Sequence, residues 1–249
     1  MSTPFYVSPE QFMKDRADYA RKGIARGRSV VVIAYNDGIL FATENPSRAL
    51  HKISEIYDRI AFAAVGKYHE FESLRVAGIR YADMRGYTYD RADVSVRGLA
   101  NAYAQTLGSV FTADSKPFEV EIVVAEIGTS SENDELYRLS YDGSLGQERH
   151  HVVIGGQAEE LSAVVAEGWR PGLGLDEALT LALRALAHRG ADGPATLTPE
   201  TLKVASKDIK PELAVTKPEE IQPASSGLET AKTEAKEAPK AAVKTETPV

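Results

Sequence analysis

The stretch RGRSVVVIAYNDGILFATEN, residues 26–45, decides the fold. Residues 30–34 form an apolar, largely β-branched run, Asn36-Asp37-Gly38 carries turn chemistry, and residues 39–42 resume the apolar pattern. Asp-Gly between two such runs predicts a β-hairpin, with Gly38 supplying the positive φ that costs least without a Cβ.

Working outward, the elements alternate in blocks. Ser8 is placed to cap a helix, with Pro9 in its first position and Gln11 completing a capping box. Phe12, Arg16, Tyr19, Ala20 and Ile24 then mark one helical face, and Gly27 closes the helix. After the hairpin, residues 60–65 (IAFAAV) predict a third, fully apolar strand, followed by helices around 69–85 and 94–111. Strands are predicted at 118–127, 135–141 and 150–154, helices at 158–169 and 175–189, and a last strand at 201–206. Helices in pairs between runs of adjacent strands argue against a doubly wound parallel sheet. The order predicts an α+β fold in which two antiparallel sheets pack face to face with helices outside, a four-layer α/β/β/α sandwich.

Aromatic residues stop at Trp169, and from about Lys207 the chain is dominated by Lys, Glu, Ala, Pro and Thr. Such a segment buries too little apolar surface to offset its chain entropy, and Pro211, Pro218, Pro223 and Pro239 interrupt any long helix, so 207–249 is expected to be a disordered tail. The 249 residues are 43% hydrophobic and 26% charged with a net charge of −7, which argues against nucleic-acid or anionic-membrane binding. No run approaches the roughly 20 apolar residues of a membrane span. The first residues, MSTPFYVSPEQF, show no basic stretch followed by an apolar core, so no secretory signal and a cytoplasmic location are expected. With no cysteine, disulfides, thiolate metal sites and a Cys nucleophile are excluded.

Candidate chemistry is sparse. Glu148, His150 and His151 invite a metal reading, but adjacent histidines at a strand start point to opposite faces, and no metal site is expected. IGGQAEE, residues 154–160, resembles a phosphate-cradling turn without the full glycine spacing, so a tight turn before a helix is expected. Asp142-Gly143 and Asp192-Gly193 are turn signals. Lys52 reads equally as a snorkelling surface lysine or as a placed cation.

Three separated segments then converge on a family. VSPEQFMKDRADYARKGIARGRSVVVIAY (7–35), HKISEIYDRIAFAAVGKYHEFESLR (51–75) and KPFEVEIVVAEIG (116–128) resemble the signatures of proteasome α-type subunits. The likeness covers about residues 8–189 and is greatest to the actinobacterial branch, through RKGIAR, ENPSR, KISE and ANAYAQTLG. The chain departs from the broader pattern at Phe5-Tyr6-Val7, where Tyr-Asp-Arg is usual, at Lys116 for arginine and at Glu119 for glycine. The resemblance implies the amino-terminal-nucleophile hydrolase fold, with a gate segment at 1–7, the α-type domain at 8–206 and the tail at 207–249.

In catalytic β-type relatives the nucleophile is an amino-terminal threonine assisted by a carboxylate and a lysine. Overlaying the hairpin puts Arg28 at the nucleophile position, Glu44 at the carboxylate and Lys52 at the lysine. Arg28 carries no hydroxyl and follows a helix, Thr3 precedes no strand, and Ser29 is one residue out of register and so faces the other way. No catalytic residue and no cofactor are expected. The resemblance further implies a heptameric ring of this chain stacked on catalytic β-subunits. Phe5, Tyr6, Val7, Ser8, Pro9 and Tyr19 would form or support the gate. Lys52, with Gly27, Gly66 and Lys67, would receive the C-terminal tails of an AAA ATPase or ATP-independent activator, and unfolded protein would pass the pore. The competing expectation is an active hydrolase released by propeptide cleavage.

Overall fold

The computed structural model describes residues 8–45, 47 and 49–188, together with the strand path at 202–205. In chain order the elements are α1 (Pro9–Ala25), β1 (Val30–Tyr35), β2 (Gly38–Glu44), β3 (Ile53–Tyr57), β4 (Ile60–Gly66), α2 (Tyr68–Thr88) and α3 (Val96–Ala113). There follow β5 (Val120–Glu126), β6 (Glu135–Leu139), β7 (Leu145–Glu148), β8 (His151–Ile154), α4 (Ala158–Gly168), α5 (Leu175–Ala187) and β9 (Leu202–Ala205). One sheet runs β8-β1-β2-β9 and the other β3-β4-β5-β6-β7, with every neighbouring pair antiparallel.

Strand alternation builds the layers. In β1, Val31, Ile33 and Tyr35 face α4 and α5 and pack with Leu40, Ala42, Leu161, Val165 and Leu181. Val30 and Val32 turn the other way, onto Ala63, Val65, Val123 and Ala125 of the second sheet. Both faces of β1 are dry, which is why its sequence is a continuous apolar run. The outer face of the second sheet, with Phe62, Ala64, Ile122 and Val124, is covered by Phe71, Leu74, Leu99, Tyr103 and Leu107 of α2 and α3. Three apolar interfaces thus separate four layers, the α/β/β/α sandwich of the amino-terminal-nucleophile hydrolase type.

Several local expectations are corrected. Each strand block holds four strands rather than three, because β3 and β7 were not anticipated. Both are edge strands of the five-stranded sheet, and their sequences ISEIY and LGQE lack the apolar run of a central strand. The hairpin turn is Asn36-Asp37, while Gly38 is already paired with Tyr35 as the first residue of β2. Ser8 caps α1 by accepting the Gln11 amide at 3.2 Å, but the Gln11 side chain bonds Asp15 instead of closing the capping box. On α1, Arg16, Ala20 and Ile24 are buried whereas Phe12 and Tyr19 are exposed, so the aromatic pair lies off the core face. Residues 1–7, Asp192-Gly193 and the segment 207–249 lie outside the described residues.

Candidate functional site

The end of α1, the start of β1 and the ends of β2 and β4 meet around Arg28. Arg28 sits between α1 and β1, and its guanidinium pairs with Glu44 Oε1, at the end of β2, over 3.0 Å. The Lys52 ammonium donates to the Arg28 carbonyl at 2.8 Å. Lys52 is 6% exposed, and its own carbonyl is fixed by the Ala64 amide at 3.0 Å. Burial first, then the Arg28 charge, pulls the Lys52 pKa down to about 8, against the opposing pull of Glu44. Lys52 is therefore a placed cation rather than a snorkelling surface lysine.

Arg28, Glu44 and Lys52 thus come together, and the Arg28 guanidinium offers neither a hydroxyl nor a deprotonable amine. The nearest hydroxyls are committed to structure or crowded. Thr43 donates to the Ser29 carbonyl at 2.8 Å, and Gly155 lies so close to Ser29 that a Cβ there would come within 2.9 Å of its Cα.

Gly27 and Gly66 adjoin the same region in mutual contact, since a Cβ on Gly27 would lie 3.3 Å from the Gly66 amide and collide with Val65. Gly66 has φ +120°, and a Cβ there would run into the Glu119 carbonyl oxygen. Lys67, which follows Gly66, pairs with Glu119 at 3.1 Å. Glu119 also holds Lys116 at 2.9 Å, and Lys116 bridges onward to Glu70. Glu70 in turn accepts the Glu119 amide at 2.6 Å. Burial alone would raise the Glu119 pKa, but bonds from Lys116 and Lys67 outweigh it and hold the carboxyl below its usual range. Burial likewise works against the charge on Lys116, and its bonds to Glu70 and Glu119 overcome that and raise it above the ordinary lysine value. This four-membered ion cluster escaped the sequence reading. Its signal was a Lys-Pro-Phe-Glu entrance to a strand whose residues are otherwise apolar, opposite an acidic residue in the first turn of a helix.

The gate-supporting candidates lie on α1. Pro9 occupies its first turn beside the Ser8 cap, and Tyr19 is half exposed with the Lys116 ammonium 5.8 Å above its ring. Phe5, Tyr6 and Val7 fall outside the described residues. Arg16 anchors the helix, its guanidinium held between the Phe12 and Phe111 rings at 5.4 and 5.5 Å. It donates to the carbonyls of Val110 and Ser115 at 3.2 and 3.4 Å, at and just beyond the C-terminal end of α3, where the helix dipole favours a cation.

The remaining motifs resolve into structure. His150 stacks on Trp169 at 3.8 Å between ring centroids, while His151 Nε2 lies 3.3 Å from Ser162 Oγ, so the two rings serve different surroundings. The amides of Gly155 and Gly156, which a phosphate would need, donate instead to Glu121 and to the Gly27 carbonyl, both at 3.2 Å. Among the described residues no group of three or more His, Asp or Glu side chains is arranged to hold a metal, and no helix is long and apolar enough to cross a membrane.

Comparison with known proteins shows the family. A family model described as proteasome subunit matches residues 24–203. The chain is 72% identical over 193 residues to the proteasome subunit alpha of Xylanimonas cellulosilytica, a match covering 78% of this chain and 79% of that protein. It is 69% identical over 209 residues to the proteasome subunit alpha of Sanguibacter keddieii, covering 84% and 82% respectively. The same-named subunit of Streptomyces coelicolor is 60% identical over 209 residues, with 84% and 82% covered. A two-sheet sandwich flanked by helices, matched over this length to proteasome α-subunits, assigns the chain to the proteasome family as an α-subunit of the actinobacterial type.

Proposed function

We propose that this α-subunit is non-catalytic, assembles into a seven-membered outer ring on catalytic β-subunits in the cytoplasm, gates the passage of unfolded protein and docks activators. The observation that carries the reading is Arg28, which stands mid-chain behind α1 with its guanidinium on Glu44 and its carbonyl on Lys52. A hydrolase of this fold needs a hydroxyl and a free α-amine at that point, and an arginine behind a helix supplies neither. Residues 1–7 serve as the gate, 8–206 as the α-type domain and 207–249 as an appended tail.

The docking role rests on Lys52 beside Gly27 and Gly66. A C-terminal carboxylate seeks a fixed cation, and the two glycines let the backbone around Arg28 and β4 pack closely enough to fix Lys52. A pKa of about 8 leaves Lys52 mostly charged at neutral pH, and a bound carboxylate raises it, so tail affinity is steady below pH 8 and falls above it.

Co-expression with the β partner tests the assembly. Native mass should show mixed rings, and intact mass should retain the residues before Arg28. A monomeric chain beside β-subunits, or a new Ser or Thr amino terminus, would overturn the reading and favour a processed hydrolase. In assembled particles, Lys52→Ala should reduce the ratio of activator-stimulated to unstimulated peptide cleavage to about one. An unchanged ratio removes Lys52 from the docking site.

A further inference from the structure

The region around Arg28 holds two lysines in very different states. The Lys52 ammonium meets only a backbone carbonyl among the hydrogen-bond and ion-pair partners resolved here, whereas the Lys67 ammonium is already neutralised by the Glu119 carboxylate at 3.1 Å. Glu119 is held firmly in that position. Its amide is bonded to Glu70, its carboxylate to Lys116 as well, and its side chain lies against Gly23 of α1 so closely that no Cβ fits there. The Glu119 side chain is 11% exposed, so its charge is only weakly screened by water. Lys67 follows Gly66, which touches Gly27, and Gly27 precedes Arg28, whose carbonyl carries Lys52. Glu119 therefore presents a carboxylate to Lys67, one of three cations in this region with Arg28 and Lys52.

We propose that Glu119 is an internal carboxylate that occupies Lys67 in place of an incoming one, confining recognition of a peptide C-terminus to Lys52. This rests on the docking role proposed above and adds to it a residue that sets its strength and selectivity. A carboxylate approaching this region meets the Lys52 ammonium, which has only a carbonyl as hydrogen-bond partner, and two ion pairs, Arg28–Glu44 and Lys67–Glu119. Tail binding is thereby kept weak enough to reverse, and an acidic side chain elsewhere on the tail finds no second cation to mis-register on. Replacing Glu119 by glutamine removes the charge while keeping the size and a hydrogen-bonding end, and Lys116 retains Glu70.

The test uses complete particles of this chain with its β partner. The probe is a fluorescein-labelled octapeptide matching the C-terminus of the cell's proteasome-activating ATPase, alongside the same peptide as its C-terminal amide. Binding is read by anisotropy. Glu119→Gln should bind the free-acid peptide about threefold to tenfold more tightly at low salt, as expected for one uncovered charge several ångströms away in a partly solvated region, with the gain lost at 1 M salt. Lys67→Met should abolish the gain in the Glu119→Gln background, the coupling expected of a shared ion pair. Unchanged or weaker binding by Glu119→Gln, in particles of native mass, overturns the proposal while wild type still prefers acid over amide. If wild type shows no such preference, the docking reading fails and this proposal falls with it.

Discussion

Lys52 ties stability to pH in a way that can be worked through. The ammonium is pulled from 10.5 down to about 8 in the folded chain, chiefly by burial. Because the folded value lies below the unfolded one, the unfolded chain holds more protons between the two, and stability rises as pH climbs through that window. The full span corresponds to about 3 kcal/mol at 1.36 kcal/mol per unit, and the part between pH 7.5 and 9.5 to about 2 kcal/mol. Lys52→Met removes the titration. Buried tyrosines complicate the raw profile, since burial raises the Tyr103 pKa and ionisation in the unfolded chain then opposes the lysine effect. Subtracting the variant's profile from wild type cancels them. Urea unfolding of the isolated chain from pH 7.5 to 9.5 should show wild type gaining about 2 kcal/mol on Lys52→Met. A difference constant within about 0.5 kcal/mol would mean that Lys52 is hydrated in the folded chain, and would refute the argument from burial.

Gly66→Ala places a Cβ at φ +120° against the Glu119 carbonyl and should cost about 2–4 kcal/mol in chemical denaturation, breaking the β4-to-α2 corner. Glu70→Ala removes one of the two carboxylates on Lys116 and leaves the Glu119 amide without its acceptor, with an expected loss of about 2 kcal/mol by the same measurement. Arg28→Thr supplies a hydroxyl without an α-amine behind it, and peptide hydrolysis by the α-chain alone should stay at background. Measurable turnover would show that the site retains catalytic power.

Much of the layering was legible because central strands advertise themselves. VVVIA in β1 and IAFAAV in β4 are buried on both faces, so their apolar runs mark the middle of the sandwich. Edge strands do not, and β3 and β7 went unread because one edge and much of their surface face water. The α1 face was misjudged for a related reason. Helical spacing set Phe12, Arg16, Tyr19, Ala20 and Ile24 on one face, and of these Phe12 and Tyr19 are exposed while Arg16 is buried, its guanidinium satisfying carbonyls that a ring would have left unpaired. The convergence of Arg28, Glu44 and Lys52 followed from family resemblance and hairpin register, both carried by local sequence. The Glu70–Lys116–Glu119–Lys67 cluster joins segments about fifty residues apart in the chain, so the sequence shows the charges at a strand entrance and a helix start without showing that they pair.

Arg16 also divides α1 mechanically. From Arg16 onward the helix has a buried face on the sandwich, while residues 8–15 are all exposed, an overhang of roughly 10 Å at 1.5 Å per residue. Arg16, gripped by two rings and two carbonyls, is the fulcrum at its root. Downstream, Gly23 and Gly27 hold the helix in steric contact with Glu119 and Val65, leaving no slack for sliding. A tilt of about 10° about Arg16 would carry the tip of this capped overhang about 2 Å. In the proposed ring, seven such levers would convert small rotations at their roots into a change of aperture without unwinding a helix.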